Sequence, residues 1–411
     1  MRVLIVGGGI GGLCLAQGLT RSGLSVQVFE RDAHAAVRGQ GYRVTLKEVG
    51  AYALHDCLPA ELFELCVATS IRQATTMAFT DEQLKPKFRK DVPLIEPGLA
   101  GFGANRLTLR EILLSGLERS VHFGKTLTGY EQLRDRVRVR FADGTSAEGD
   151  LLVGADGTNS AVRRQLVPDA VIDEYDRAIY GRTPMSAQTS QWLPDILTDS
   201  FNRVIGPDAA MAVATCRAAG TAPGLTPIAD YLSWMLSFTS APLPATASPV
   251  ELVELARSAV HGWHPAVGRI IDESDVDGIA LIAISTARTV AGWDAPRVTL
   301  LGDAIHTMSP GRGEGANTAL RDAELLRATL VAVGQGVPLE TAKALYEQEL
   351  LRYGFEMVAR SRDEPFALRA RSAPAPTVST AQSTPTRAND KGSDVAAAMP
   401  PIAPGAARPE P

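Results

Sequence analysis

Residues 2–32, RVLIVGGGIGGLCLAQGLTRSGLSVQVFERD, decide the fold. Val3 to Val6 is a short continuous apolar run, the pattern of a strand buried on both faces. A glycine turn follows, then a helical segment to about Arg21, then a second strand ending at Glu30. Strand, glycine turn, helix and strand in that order predict the first βαβ unit of a doubly wound α/β fold. Gly7, Gly9 and Gly12 fit G-x-G-x-x-G: the first allows a tight turn, the second a close approach of a pyrophosphate, the third close packing of helix on strand. Glu30 lies 18 residues beyond Gly12, where a carboxylate reaches ribose hydroxyls. An ordinary glycine-rich turn needs neither the flanking elements nor the distant acid, so the stretch reads as a dinucleotide site.

The rest of the chain returns to this unit. RLTLREILLSGLERS (106–120) has helical apolar spacing, and RVRVRFADGT (136–145) alternates like a strand running into an Asp143–Gly144 turn. Arg136, Arg138 and Arg140 read as a solvated strand face. Between about Val167 and Ser285 the texture changes: strands are expected near 178–183, 209–217 and 231–239, with a helix over 250–260. RVTLLGDAIH (297–306) is a buried strand re-entering the first domain before two closing helices. The expected architecture is α/β: a Rossmann-like dinucleotide domain with an inserted, mostly antiparallel β-sheet substrate domain and C-terminal helices. Its dinucleotide part comprises 1–70, 101–166 and 286–372, and its substrate part 71–100 and 167–285. Residues 373–411, rich in Pro, Ala and Ser, are expected to be a disordered tail.

Composition restricts the partners. The 411-residue chain is 45% hydrophobic with net charge −5, which suits an enzyme with a sizeable core and favours neither nucleic acid nor an anionic membrane. Its apolar runs are too short or too interrupted to span a membrane, and the N-terminal run fits a nucleotide fold better than a signal peptide. Cys14, Cys57, Cys66 and Cys216 show no metal-binding spacing and fit reduced thiols of a cytoplasmic protein. No metal site is expected.

A third stretch, GDAIHTMSPGRGEGANTALRDAELL (302–326), places an acid, a proline and spaced glycines before an amphipathic helix. Such glycines let backbone approach a ligand, and a helix start offers N–H groups and about half a positive charge. The ligand should be large, flat or phosphorylated, and electron-rich at one end.

Taken with DLLVGADGTNSAVRRQL (150–166), the three stretches in this order resemble the fingerprints of single-component, class A flavin-dependent monooxygenases. That group includes para-hydroxybenzoate hydroxylase and the tetracycline-inactivating monooxygenases. The likeness spans roughly residues 1–365 and is weakest in the inserted unit. It implies FAD as cofactor and NAD(P)H as co-substrate, with O2 adding at flavin C4a. The resulting hydroperoxide would hydroxylate an electron-rich aromatic or polyketide-like small molecule. Baeyer–Villiger or epoxidising chemistry, a flavoprotein dehydrogenase or oxidase, and a non-enzymatic binding protein of the same fold are the alternatives.

The resemblance also implies roles. Glu30 and Arg31 would hold the adenosine part. Arg38, in the loop RGQGYR with Gly39 and Gly41, and Arg106 would lie near the flavin. Asp156 and Gly157 match a motif linked to both FAD and NAD(P)H. Asp303 would accept hydrogen bonds from ribityl hydroxyls, and Pro310 would sit beside the isoalloxazine. Gly313, Gly315, Ala316 and Asn317 would line its pyrimidine edge, where the N–H groups suit the charge of reduced flavin. Arg182, in IYGRTP, is the candidate for a substrate-facing catalytic arginine, against a structural role. His306 reads as structural, His55, His261 and His264 carry no assigned chemistry, and Trp192, Trp234, Trp263 and Trp293 read as core.

Overall fold

The computed structural model describes residues 1–35, 43–238 and 243–363. Arg38, Gly39, Gly41 and the 373–411 tail lie outside the described residues. Strands Val298–Leu300, Leu151–Gly154, Arg2–Val6, Ser25–Phe29 and Val121–His122 form a five-stranded parallel sheet in that order. Val3, Leu4, Ile5 and Leu151 to Val153 are fully buried. Helices cover the faces of such a sheet, which is why these strands read as unbroken apolar runs. Helix Ile10–Arg21 packs on helix Gly315–Gly334, so the first and third fingerprints meet in space although they are distant in sequence.

The second sheet has seven strands, in the order Ala280–Ala287, Ile172–Pro184, Tyr231–Phe238, Ala209–Cys216, Ser200–Ile205, Thr76–Asp81 and Pro86–Asp91. All neighbours are antiparallel except Ser200–Ile205 beside Thr76–Asp81. One face packs on helices Pro249–Ala259 and Pro265–Asp272, burying Ile179, Val213, Leu232 and Trp234 against Leu252, Val267 and Ile270. Gly181 makes room for Trp234, because a Cβ there would lie 2.2 Å from the indole. Ser248 and Glu251 form a reciprocal capping box ahead of Pro249, which fixes where that helix begins. Both sheets belong to one compact unit, Met1–Arg371.

Three local readings change. The helix from Arg106 stops at Leu114 rather than Ser120, because Gly116 takes φ +78°. Strand Ser200–Ile205 was not expected, because its pattern is inverted: Ser200 and Asn202 point inward, while Phe201 and Ile205 are exposed. Buried Asn202 donates its amide N–H to Ile196 O at 2.7 Å, while its Oδ1 has no hydrogen-bond partner among the described residues. The last strand of the second sheet runs to Ala287, two residues beyond the expected break. No helix among the described residues is long and apolar enough to cross a membrane.

Candidate functional site

The glycine turn is built by backbone contact. Gly7 has φ +113°, and a Cβ there would lie 2.2 Å from Ala155 O. A Cβ on Gly12 would lie 2.2 Å from Gly7 O, so helix and strand are as close as their backbones allow. Gly9 differs: its Cβ would meet no protein atom within 4 Å and would project into open space at the helix start. That start has no side-chain cap, so its first N–H groups remain available to an anion. It opens on a cleft of about 220 Å³ lined by Gly7 to Ile10, Glu30, Arg31, Arg106, Arg110, Asp156 and Gly157.

Glu30 does more than the motif suggests. Its carboxylate accepts hydrogen bonds from Gly8 N at 2.7 Å and Asp32 N at 2.9 Å, and faces Arg110 at 3.4 Å. Arg110 in turn donates to Gly8 O at 3.0 Å and Ala35 O at 2.8 Å. Arg110 was missed in the sequence, although it follows Arg106 by four residues and so shares its helix face. Glu30→Ala should therefore weaken FAD binding and also lower the melting temperature of the FAD-free chain. Losing buried partners costs about 1 to 3 kcal/mol. Unchanged melting of the FAD-free variant would leave a ligand as the carboxylate's only important partner.

The second and third fingerprints are tied together. Asp156 accepts from Ser160 Oγ at 2.5 Å and Ala161 N at 2.7 Å, capping the short helix Ala161–Leu166. Gly157, at φ +77°, borders the cleft. Arg163, also missed, donates to Thr158 O at 2.8 Å and Ala304 O at 2.9 Å, and Thr158 Oγ1 bonds Thr307 Oγ1 at 2.9 Å.

Asp303 is exposed while Ala304, Ile305 and His306 beside it are buried. Protein packed around its carboxylate raises the carboxyl pKa, against the opposing charges of His306 and Arg106. A Cβ on Gly315 would lie 3.8 Å from Asp303 Oδ1, so the acid and the start of the 20-residue helix face one space. This helix start has no side-chain cap either. Pro310 is exposed on the adjoining turn, which ends in Gly313 at φ +65°. Asn317 is fully buried, and its side chain accepts from Lys47 N at 2.8 Å and donates to Thr45 O at 2.9 Å. Toward a ligand it would present backbone rather than amide. Arg43 lies on the same strand, Arg43–Lys47. Its Nε and Nη1 are buried without hydrogen-bond partners among the described residues.

These features fit FAD. The open position at Gly9 with the uncapped start at Ile10 suits a pyrophosphate, the acid Asp303 suits a ribityl chain, and the uncapped start at Gly315 with the unpartnered guanidinium atoms of Arg43 suits an anionic ring.

Beside Asp303 lies a buried polar node. Asp322 accepts from Gly302 N at 2.7 Å, bonds His306 Nε2 at 2.7 Å, and accepts from the Tyr353 hydroxyl. Burial lowers the affinity of His306 for its proton, but the charges of Asp322 and Asp303 outweigh it and raise the imidazole pKa. His306 is 1% exposed and holds the turn together, as its structural reading implies.

Arg182 is engaged by Asp275, at 2.6 Å from Nη2 and 3.1 Å from Nε. His264 caps the helix beginning at Pro265, and Trp293 donates to Glu347 at 2.7 Å. The four cysteines are free and buried, and burial pushes the Cys66 thiol up to about 12. A further cavity of about 300 Å³ separates helix Arg106–Leu114 from the 217–230 loop. At its edge Asn105 caps that helix and donates to the Tyr231 hydroxyl at 3.2 Å, tying the second sheet to the element that carries Arg106.

Comparison with known proteins agrees with this chemistry. The FAD binding domain family matches residues 103–361, and the NAD(P)-binding Rossmann-like domain family matches 5–66. A dual O-methyltransferase/FAD-dependent monooxygenase of Cercospora beticola is 33% identical over 376 residues, covering 82% of this chain and 43% of its own. The chain thus spans less than half of that relative's length. An FAD-dependent monooxygenase of Trichoderma harzianum is 29% identical, with 88% and 92% covered. A crystal structure from Photorhabdus luminescens, described as an FAD-containing monooxygenase, superposes with a TM-score of 0.78 at 31% identity, covering 89% and 98%.

Proposed function

Because the chain belongs to the family of FAD-dependent monooxygenases, we propose that it uses NAD(P)H and O2 to hydroxylate an electron-rich aromatic or polyketide-like small molecule. FAD is the family's cofactor and NAD(P)H its co-substrate. The observation that carries the proposal is the placement of Asp303 beside the uncapped helix start at Gly315, with a second uncapped start at Gly9 and Ile10. When bound, FAD supplies hydride acceptance and O2 activation.

The chain's own residues bind, orient and exclude water. The Gly7 to Gly12 turn would hold the pyrophosphate beside Arg110, with Glu30 and Arg31 at the adenosine part and Arg106 near the flavin. Asp303 would accept from ribityl hydroxyls, and Gly313, Gly315, Ala316 and Asn317 would offer backbone to the electron-rich ring edge, with Pro310 beside the ring. Asp156 and Gly157 would shape the wall between cofactor and co-substrate. The substrate would lie on the sheet face turned away from the two covering helices, where Tyr180 meets Ser233 at 2.9 Å and Met235 packs with Ala178 and Ile284. That apolar cluster would keep water from the reacting centre. Arg182, held by Asp275, would position the edge of this face.

The proposal is tested by purifying the chain, extracting its chromophore, and screening phenolic and polyketide-like compounds for stimulated NAD(P)H oxidation with a product one oxygen heavier. Reduction of the flavin without any oxygenated product would favour a dehydrogenase or oxidase, and FMN or no chromophore after reconstitution would end the assignment. Within it, Asp303→Ala should lower FAD affinity. Losing the acceptor that a bound ribityl chain would use costs about 1 to 3 kcal/mol, roughly a factor of ten to a hundred. Fluorescence titration of the FAD-free chain reads this, and wild-type affinity would remove Asp303 from the site.

A further inference from the structure

The outer edge of the seven-stranded sheet carries a feature the flavin chemistry does not use. Strand Pro86–Asp91 is exposed along its whole length and has one free edge. It and the residue before it carry Lys85, Lys87, Arg89 and Lys90, none of which forms an ion pair with a described residue. Bulky apolar side chains stand beside these cations: Phe88 is 45% exposed, Leu94 75% and Ile95 51%.

The patch is continuous. Phe88 is paired with Phe79 in register, and Phe79 with Arg203, which puts Phe88 on the same face as the exposed Phe201 and Ile205. The 92–95 loop is held against this corner by Ile95 N donating to Gln73 Oε1 at 2.9 Å, and by Gln73 Nε2 donating to Pro93 O at 2.8 Å. Thr75 N, two residues on, bonds Asp199 O at the start of the strand bearing Phe201.

Lysines and a proline on an edge strand discourage strand addition, and that alone would account for the charges. It does not account for Phe88, Leu94 and Ile95, which raise the risk that such charges lower. Pairing with a second copy edge to edge would bring like charges together. Cations interspersed with exposed apolar side chains instead match a surface with phosphates outside and hydrocarbon beneath. A net charge of −5 is a whole-chain sum and does not describe this edge.

We propose that this edge docks the protein on an anionic lipid bilayer, with Leu94, Ile95 and Phe88 entering the interface, Lys90 on the face of Phe88, and Lys87 and Arg89 on the opposite flank of the same edge, all reaching lipid phosphates. The sheet face bearing Phe201 and Arg203 continues through their register partners Ala214 and Ala212. Docking would therefore set one end of the proposed substrate face at the membrane, where a lipophilic substrate is most concentrated.

Vesicle flotation of the FAD-loaded chain tests this without any turnover. Binding is expected with phosphatidylcholine vesicles containing phosphatidylglycerol and not with phosphatidylcholine alone, and it should weaken as salt rises. K87E/R89E/K90E should lower partitioning at least about ten-fold, at roughly ten-fold per 1.4 kcal/mol and about 1 kcal/mol per cation. L94S/I95S should lower it by a similar factor while leaving the salt dependence that remains. Melting temperature and flavin spectrum should be unchanged in both, since every altered side chain is exposed. Equal flotation with neutral vesicles, or wild-type flotation by either variant, overturns the proposal. A vesicle-free, concentration-dependent doubling of mass that L94S/I95S abolishes overturns it in favour of a second copy.

Discussion

Gly12→Ala is expected to give a chain that neither retains FAD nor melts near the wild-type temperature, whereas Gly9→Ala should lose FAD alone. The added carbon at position 12 would lie 2.2 Å from Gly7 O and 3.2 Å from Ala155 Cβ. Gly7 O is backbone, so the helix Ile10–Arg21 must shift off the strand Arg2–Val6. Overpacking of this kind costs about 1 to 3 kcal/mol, occasionally more, and the helix start that would hold the pyrophosphate moves with the helix. At position 9 the same carbon meets no protein atom within 4 Å, and φ is an ordinary −81°. The fold should tolerate it, while the carbon occupies space a phosphate would need. Calorimetry of the two FAD-free variants beside FAD titration separates the cases. If both variants melt like wild type, the close contact is not what sets the helix position. If Gly9→Ala keeps wild-type affinity, the pyrophosphate does not lie over the turn.

The second large effect is expected at Asp322. Removing this carboxylate by Asp322→Ala takes the partner from Gly302 N, His306 and Tyr353 at once, at positions that are all but fully buried. Breaking a buried ionic pair by deleting one member costs about 3 to 5 kcal/mol. The pH dependence gives an independent signature. The imidazole pKa of His306 is raised in the folded protein above its ordinary value of about 6.5. Its contribution to stability is then fully present below that ordinary value and is lost as pH rises through the folded one. Wild-type stability should decline as pH rises above about 6.5, and Asp322→Ala should flatten that decline. Denaturant unfolding at several pH values reads both, and a variant of wild-type stability with an unchanged profile would show that the node is not a stability determinant.

Parts of the site were legible because they obey local rules. Gly7, Gly12 and Gly157 are restricted by their own backbone, Glu30 ends a strand at a fixed distance from the turn, and Asp303 begins the segment that leads into a helix. Arg110, Arg163 and Arg43 were not legible in the same way. Arg163 reaches Ala304 O, 141 residues away, Arg110 reaches Gly8 O, 102 residues away, and the donors of Arg43 are left unpartnered only by the packing around them. No periodicity signals such a partner. Asn317 was assigned to the ring edge, yet its side chain reaches back to Thr45 and Lys47, a placement that only the approach of helix and strand decides. The strand Ser200–Ile205 escaped notice because a sheet face paired with buried hydrogen-bonding groups inverts the usual alternation.

By itself the sequence determined the α/β class, the glycine turn and the order of the three fingerprints, since strand burial, glycine backbone freedom and helix starts depend on neighbours a few residues apart. The tertiary structure decided which charges were already committed and which remained open. Glu30 holds Gly8 N of the glycine turn, Asp156 holds Ala161 N of its own loop, Arg182 is bound by Asp275, and His306 is locked to Asp322, whereas Arg43 keeps buried donors without partners among the described residues. A side chain's chemistry depends on the groups packed against it, and most of those come from elsewhere in the chain.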